Sequence, residues 1–326
     1  MDLTGVAREA FGGGRRLAGT ERLRGGSKKG VHRLLFEDGG TAVVYVWSVA
    51  ENLWPGADEP ADDADPLAHA SGVALFAAAH RRLTALGVRT PRVHLLDGSR
   101  SRFPADVAVV EDVTGPGGEN LDVLLERDPR AAAPVLERLA DTLRVLAGHR
   151  APGWGKLALL DNGGVSKGSS PAQLVLERAF ADLAEAAGRD DRIAAARGRL
   201  AEGLHTRASA VAPRDGGYGL VHGELGPDHV LVDAAGEPVL IDIEGLMHFD
   251  VEWEHVFLRI RFGDQYPSLC GGTEGLDRHR LDLYGLAMRL SLVAGPLRLL
   301  DGDFPHRAAM REIAEYNLTA ALALVE

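Results

Sequence analysis

Two short polar segments inside a mostly helical region constrain the fold of this 326-residue chain more than any other feature. Residues 222–224 are His-Gly-Glu and lie shortly before the apolar run 230–232. A second apolar run, 238–241, ends at Asp242. Because Asp-Ala-Ala-Gly lies between the two runs, they predict a β-hairpin. Glu224 precedes one strand and Asp242 follows its partner, so both carboxylates are expected at one end of the hairpin.

The start of the chain predicts a small β-rich lobe. A glycine-rich loop at 23–30 is followed by two runs of β-branched and aromatic residues, 31–36 and 41–47, which Glu37–Gly40 connects. Asp-Gly-Gly between such runs is a strong hairpin signal. We therefore expect three antiparallel strands around the glycine-rich loop and this turn.

One helix and two further strands are expected in the same lobe. Apolar residues recur at helical spacing from Leu67 to Leu86, and Gly87 is suited to end that helix. Residues 91–96 and 107–110 then predict two strands.

A glycine-proline cluster within 111–118 marks the expected boundary between two domains. Residues 1–113 form the first lobe, and residues 114–326 form a second, mainly helical lobe. Helical spacing predicts helices at 121–126, 131–147, 171–187, 191–207, 279–293 and 305–325. The fold class is therefore α+β, with a small antiparallel sheet and one helix preceding a larger helical lobe.

Composition restricts the classes of partner. With 47 acidic and 36 basic residues the net charge is −11, which disfavours nucleic acid and would attract a cationic small substrate. Cys270 is the only cysteine, so an internal disulfide is excluded and a reducing cytoplasm fits. We find neither an apolar run of membrane-spanning length nor a signal-peptide core in residues 1–14. We expect a cytoplasmic protein without nucleic-acid or membrane partners; the sequence does not indicate its oligomeric state.

The two polar segments resemble the phosphotransferase family that includes aminoglycoside and choline kinases. The family pattern is His-Gly-Asp, four residues, Asn or His, a hairpin, and then Ile-Asp with a further acid two residues on. His222, Gly223 and His229 match the first part, and Asp242 and Glu244 match the second. The resemblance implies a bilobed, protein-kinase-like fold with the active site between the lobes.

The resemblance also implies roles for individual residues. Glu224 would be the catalytic base, with His222 in the same catalytic loop, and His229, Asp242 and Glu244 would hold Mg²⁺. ATP or GTP would serve as phosphate donor and a hydroxyl group of a small molecule as acceptor. The nucleotide-binding residues would be Gly25, Gly26, Ser27, Lys28, Lys29 and Gly30 of the glycine-rich loop, with Glu111 and Val113 at the hinge between the lobes.

Three positions depart from the family pattern. The catalytic aspartate is Glu224, one methylene longer. The strand lysine that would contact phosphate is replaced by Tyr45, and the helix expected at 67–86 lacks the acid that would pair with it. The last two departures are consistent with each other, because a buried acid without its lysine would destabilise the fold. Lys28 or Lys29 could supply the missing positive charge from the glycine-rich loop.

Structural roles remain alternatives for several of these residues. Asp242 could cap a turn after a buried strand, and His229 could fill a polar pocket through hydrogen bonds. Glu244 could be a hydrogen-bond acceptor behind the metal rather than a ligand. Lys28 and Lys29 could simply be exposed charge.

Two other functions remain alternatives to a small-molecule kinase. A pseudokinase would bind a nucleotide with little or no phosphotransfer, as the three departures would allow. A nucleotidyl transferase with the same fold would attach a larger group to its acceptor. A natural-product or antibiotic-like acceptor is implied only by the family resemblance.

Overall fold

A computed structural model describes residues 1–23, 26–56, 58, 62–115, 119–270 and 275–326. Gly25, one of the residues assigned to nucleotide binding, lies outside these ranges, as does part of the cluster at 111–118. Among the described residues, no helix is both long and apolar enough to cross a membrane.

An antiparallel five-stranded sheet dominates the first part of the chain. Its strands in chain order are β1 (Leu17–Arg22), β2 (Gly30–Phe36), β3 (Thr41–Trp47), β4 (Val93–Asp97) and β5 (Asp106–Glu111). Their order in the sheet is β1-β2-β3-β5-β4. The predicted strands and the turns between them are confirmed.

The two faces of this sheet bury different cores because side chains alternate along each strand. On β3, Val43, Tyr45 and Trp47 pack with Phe76 in the core that continues into the rest of the protein. The alternate positions pack beneath α1 (Leu3–Phe11), a short helix that sequence analysis did not predict.

The helix expected at 67–86 is shorter than predicted. The structure forms α2 (Val73–Ala85), and the preceding residues are irregular. Gly72 has φ of 121°, a conformation that no helix contains, so it stops the helical pattern from extending toward Leu67. Gly87 follows the helix with φ of 72°, as a terminating glycine should.

Eight helices lie in the remainder of the described chain. They are α3 (Leu121–Arg127), α4 (Pro129–Gly148), α5 (Leu157–Asp161), α6 (Pro171–Ala187), α7 (Asp191–Ser209), α8 (Val251–Phe262), α9 (Arg278–Leu299) and α10 (Arg307–Ala323). All six predicted helices are present. The mixed fold with a helical second part is therefore confirmed, while a boundary after residue 113 remains our proposal.

Short strands position the polar loop between the helices. The predicted hairpin is β8 (Val230–Val232) paired with β9 (Pro238–Leu240). The preceding strand β7 (Gly219–Val221) pairs instead with β10 (Met247–Phe249), which also pairs with β6 (Gly155–Lys156). The loop that carries residues 222–224 is thereby held between two small sheets.

Candidate active site

The glycine-rich turn meets both predicted carboxylates. The Nζ atom of Lys28 lies 3.1 Å from each carboxylate oxygen of Glu224. The Nζ atom of Lys29 lies 2.5 Å from Oδ1 of Asp242 and 2.7 Å from Oε1 of Glu244. Residues about 200 positions apart in the sequence thus converge on one cleft.

Local geometry explains why the turn takes this shape. Gly26 has φ of 77°, and a Cβ there would lie 2.8 Å from the carbonyl oxygen of Lys29, so glycine is required. The indole Nε1 of Trp54 donates to Oγ of Ser27 at 2.9 Å, and the hydroxyl of Ser71 donates to the carbonyl oxygen of Lys28 at 3.0 Å. The turn is therefore fixed by the segment between β3 and α2.

Lys29 provides the positive charge that β3 lacks. Its amine is buried and lies 5.2 Å from the centre of the Tyr45 ring, which occupies the strand position of the expected lysine. Burial alone would lower the pKa of Lys29, but Asp242 and Glu244 outweigh it and hold the pKa above its usual value. Lys29 is therefore positively charged in the cleft.

The acid that pairs with Lys29 also comes from a different part of the chain than the helix where it was expected. Glu244 is buried, and its Oε1 accepts from Lys29 and from Nε1 of Trp47, the latter at 3.2 Å. The helix α2 contains no acidic residue that could serve instead. A lysine from the glycine-rich turn and a glutamate after the hairpin thus form the buried ion pair of this cleft.

Glu224 presents its carboxylate to the open cleft. Its side chain is 53% exposed, and the charge of Lys28 lowers the pKa of the carboxyl, so it is ionised at neutral pH. Its backbone is held by His229, whose Nδ1–H donates to the carbonyl oxygen of Glu224 at 2.7 Å. An ionised carboxylate on a positioned loop can accept a proton or bind a cation.

The two histidines of the loop orient its backbone. His222 is buried, and its Nε2–H donates to the carbonyl oxygen of Ile241 at 2.9 Å, next to Asp242. Burial and the neighbouring His229 lower the pKa of His222 to about 4, so its ring is neutral. Nε2 of His229 lies 3.7 Å from Oδ2 of Asp242. His222 therefore connects the loop at 222–224 to the end of the hairpin.

Asp242 adopts a backbone conformation that is unusual outside glycine. Its φ and ψ are 57° and 42°, in the left-handed region, which aspartate tolerates better than most residues. Burial would raise the pKa of its carboxyl, but Lys29 and His229 hold it well below its usual range. The conformation turns the chain sharply after β9.

The residues assigned to the hinge line the same cavity as the glycine-rich turn. The carboxylate of Glu111 accepts from Nη2 of Arg89 at 2.9 Å, and its backbone N–H donates to the carbonyl oxygen of Arg92 at 2.8 Å. Val113 follows where the chain leaves β5. Contact of Glu111 and Val113 with a nucleotide stays a prediction.

Comparison with known proteins decides the family. The model of the phosphotransferase enzyme family matches residues 61–272, which is more than half of the chain. The chain belongs to this family. It is therefore a phosphotransferase, of the class that uses an alcohol group as acceptor, and the family predicted from the polar segments is confirmed.

Solved structures of several phosphotransferases share the fold. A thermostable mutant of aminoglycoside phosphotransferase APH(4)-Ia, in complex with ADP and hygromycin B, is 18% identical with a TM-score of 0.63, covering 98% of this chain and 99% of that one. Spectinomycin phosphotransferase APH(9)-Ia, in complex with ADP and spectinomycin, is 12% identical with a TM-score of 0.67, covering 99% and 97%.

A putative fructosamine-3-kinase from Thermobifida fusca is also similar, at 18% identity and a TM-score of 0.56, covering 99% of both chains. At these identities the similarity establishes the kinase-like fold. A comparison with curated protein sequences gave no match.

In this phosphotransferase the residues predicted to bind metal differ in what they contact. Asp242 is partly exposed, its Oδ1 is held by Lys29, and its Oδ2 lies 3.7 Å from Nε2 of His229. Glu244 is bound to Lys29, and its Oε2 is buried without a hydrogen-bond partner in the described structure. Among the residues described, no group of three or more His, Cys, Asp or Glu is arranged around one metal position.

This arrangement still fits a magnesium ion of the kind found with nucleotides. Mg²⁺ prefers oxygen ligands and is usually held by one or two carboxylates together with substrate phosphates. Asp242 can provide such a carboxylate. The roles of His229 and Glu244 as direct ligands remain predictions.

Glu254 is a site residue that the sequence analysis did not identify. It lies on α8, and its Oε2 accepts from the backbone N–H of Gly223 at 2.7 Å. Its Oε1 is buried and has no partner within the described ranges. Because burial disfavours the charged form, the pKa of Glu254 rises from 4.5 to about 7. This role depends on a contact with a residue 31 positions away in the sequence.

The raised pKa makes stability depend on pH. The stabilisation of the folded state by the protonated Glu254 is complete below pH 4.5. It is lost as the pH rises through about 7, where the buried carboxyl must ionise. As the pH rises between these values, the unfolding free energy of Glu254→Gln should increase by about 3 kcal/mol relative to that of wild type. Urea unfolding at pH 5 and pH 8 measures this. Glu202→Gln, at an exposed position, is the control. If the unfolding free energies of Glu254→Gln and wild type differed by the same amount at both pH values, the raised pKa of Glu254 would be contradicted.

Proposed function

We propose that this protein transfers the γ-phosphoryl group of ATP or GTP to a hydroxyl group of a small, natural-product-like molecule. The observation that carries the proposal is the convergence of Lys28 and Lys29 with Glu224 and Asp242 in one cleft. Phosphoryl transfer is catalysed mainly by positioning and by neutralising charge, which these four residues can provide. Structural neighbours crystallised with ADP support ATP as the donor.

In this mechanism Glu224 accepts the proton of the acceptor hydroxyl. The acceptor oxygen forms a bond to the γ-phosphorus while the bond to the β-phosphate oxygen breaks and ADP or GDP leaves. Lys29 stabilises the negative charge on the phosphate, and Lys28, which contacts Glu224, provides a second positive charge beside it. Mg²⁺, held by Asp242, would supply further positive charge for the phosphate oxygens.

The pseudokinase alternative loses its main support in this structure. Two of the three departures behind it are the missing strand lysine and the missing acid on the first lobe's helix. Lys29 and Glu244 form a buried pair next to Tyr45, so both charges are present from other parts of the chain. A cytoplasmic location, where ATP and Mg²⁺ are available and Cys270 stays reduced, belongs to our proposal.

Thermal unfolding with nucleotides tests the proposal before any acceptor is known. We expect ATP and ADP to raise the Tm in the presence of Mg²⁺ and to have a much smaller effect after EDTA. A nucleotide at 100 times its Kd stabilises the folded state by about 2.7 kcal/mol. Asp242→Asn should abolish the magnesium-dependent part of the shift.

Mass spectrometry then identifies the group transferred. Incubation with Mg–ATP and a panel of hydroxyl compounds should give a product heavier by one phosphoryl group. A product heavier by a nucleotidyl group would show the alternative transferase activity. Absence of both a magnesium-dependent Tm shift and a phosphorylated product would contradict the proposed function.

A further inference from the structure

The cavity around the proposed site is larger than a nucleotide requires. Its volume is about 1780 Å³, whereas a single drug-sized ligand usually occupies roughly 300–1,000 Å³. One side is lined by the glycine-rich turn, the hinge and the hairpin, and the other by α6, α8, α9 and α10. Glu224 lines the same cavity. The helical side therefore has room for the acceptor while a nucleotide occupies the first side.

Apolar and aromatic side chains cover much of the helical side. Trp253 and Phe257 of α8 and Leu292 of α9 line it. On α10, Ile313 and Tyr316 also line the cavity and are 37% and 61% exposed, so their apolar surface is available to a ligand. Surface of this kind inside a cavity favours an apolar ligand body.

Trp54, in the segment after β3, lies across the cleft. Trp54 is hydrogen-bonded to Ser27 of the glycine-rich turn at 2.9 Å. The far end of its ring reaches α9, where a Cβ at Gly295 would lie 3.6 Å from it. Trp54 therefore lies between the proposed phosphate site and the apolar helical side.

The carboxylates of the cavity are mostly neutralised by neighbouring cations. Asp182, on α6, is bound to Nε of Arg178 at 3.2 Å and lies 3.6 Å from Nη2 of Arg298. Asp228 is bound to Nη2 of Arg261 at 2.6 Å. A cationic ligand would have to displace these bonds, which offsets the attraction it gains.

The other carboxylates that line the cavity are paired with cations, with one exception. The pairs are Asp65–Lys167, Asp106–Arg100, Glu111–Arg89, Asp112–Arg33, Glu224–Lys28 and Asp242–Lys29. Glu312, exposed on α10, is the exception, since no cation of the described residues lies within ion-pair distance of it. One exposed carboxylate cannot hold a molecule with several ammonium groups in the interior of the cavity.

We infer that the acceptor is an uncharged molecule with an extended apolar or aromatic body and a hydroxyl group directed at Glu224. This inference rests on the proposed function and differs from the expectation of a cationic acceptor, which came from the net charge. The apolar body lies against α8, α9 and α10, and Trp54 encloses it from the side of the glycine-rich turn.

Two matched fluorescent probes test the inference on the full-length protein with Mg–ADP. Pyrenemethanol carries a hydroxyl group, and pyrenemethylamine carries an ammonium group on the same aromatic body. Because Lys28 already pairs with Glu224, an ammonium group placed there would be unpaired and costly to bury, so fluorescence titration should give a Kd at least about tenfold lower for the alcohol. Hygromycin B, the polycation bound by one structural neighbour, should not displace it.

A substitution on α10 should reverse this preference. Ile313→Asp places an unpaired carboxylate in the cavity at a partly exposed position, so the protein should still fold. We expect it to weaken alcohol binding by about tenfold and to strengthen ammonium binding. Val145→Asp, at a similarly exposed position of α4 that does not line the cavity, is the matched control and should change neither Kd.

Several results would overturn the inference. These are equal or tighter binding of the ammonium probe, no binding of either probe, displacement by hygromycin B, and an unchanged preference in Ile313→Asp. Each can be distinguished from failure of the proposed function, because the magnesium-dependent Tm shift with ADP reports separately on the nucleotide site.

Discussion

Replacing Lys29 by methionine is expected to lower kcat/KM for ATP by about 10²–10³-fold. The substitution removes a preorganised positive charge from the phosphate side of the cleft, and loss of one such group usually has an effect of this size. Steady-state kinetics at saturating acceptor, with Mg²⁺ in excess, measures it. Arg197→Met is the control, because Arg197 is exposed on α7 and does not line the cavity.

Lys29→Met should also destabilise the fold, and this effect must be separated from catalysis. Loss of the lysine leaves Glu244 buried without its partner, which typically costs about 3–5 kcal/mol. The double variant Lys29→Met/Glu244→Gln removes the unpaired charge and should recover most of that stability. Because the phosphate contact is still missing, its activity should remain low. Recovery of activity together with stability would show that Lys29 has only a structural role.

Glu224→Gln is expected to reduce kcat by about 10²–10⁴-fold while leaving Mg–ATP binding nearly unchanged. The amide is similar in size to the carboxylate but cannot accept the proton of the acceptor hydroxyl, and general-base catalysis contributes an effect of this size. Rapid-quench measurement of a single turnover isolates the chemical step. Equal single-turnover rates for Glu224→Gln and wild type would exclude Glu224 as the base.

Glu224→Asp, in contrast, restores the residue of the family pattern and tests the additional methylene. In this structure both oxygens of Glu224 contact Lys28 at 3.1 Å. The shorter side chain would lose this contact, and a displacement near 1 Å can cost on the order of 100-fold in rate. We therefore expect an intermediate rate between those of wild type and Glu224→Gln.

The sequence predicted the position of the site because its main determinants are local. A polar segment before one short strand and an aspartate after its partner must lie at the same end of a hairpin, and the structure places Glu224 and Asp242 there. The sequence could not choose between Lys28 and Lys29 for the phosphate. Consecutive side chains in a glycine-rich turn differ in direction, and that direction depends on tertiary contacts with Tyr45 and Trp54.

Helix α8 shows why other parts were missed. Nine of its twelve residues are buried, so it has no polar face and no helical alternation of apolar and polar residues. Acidic residues that are normally exposed, such as Glu252 and Glu254, are buried there among other parts of the chain. The loop at 222–224 is hydrogen-bonded to Glu254, and only the tertiary structure reveals this contact.

Lysine labelling tests most directly whether the turn at Ser27–Lys29 binds the nucleotide over Glu224 and Asp242. The chain has only four lysines, at 28, 29, 156 and 167, so reductive methylation followed by mass spectrometry can follow each one. We predict that Mg²⁺ with AMP-PNP slows labelling of Lys28 and Lys29 and leaves Lys167 unchanged. Unchanged labelling of Lys28 and Lys29, while the same nucleotide raises the Tm, would show that it binds elsewhere and would contradict the account.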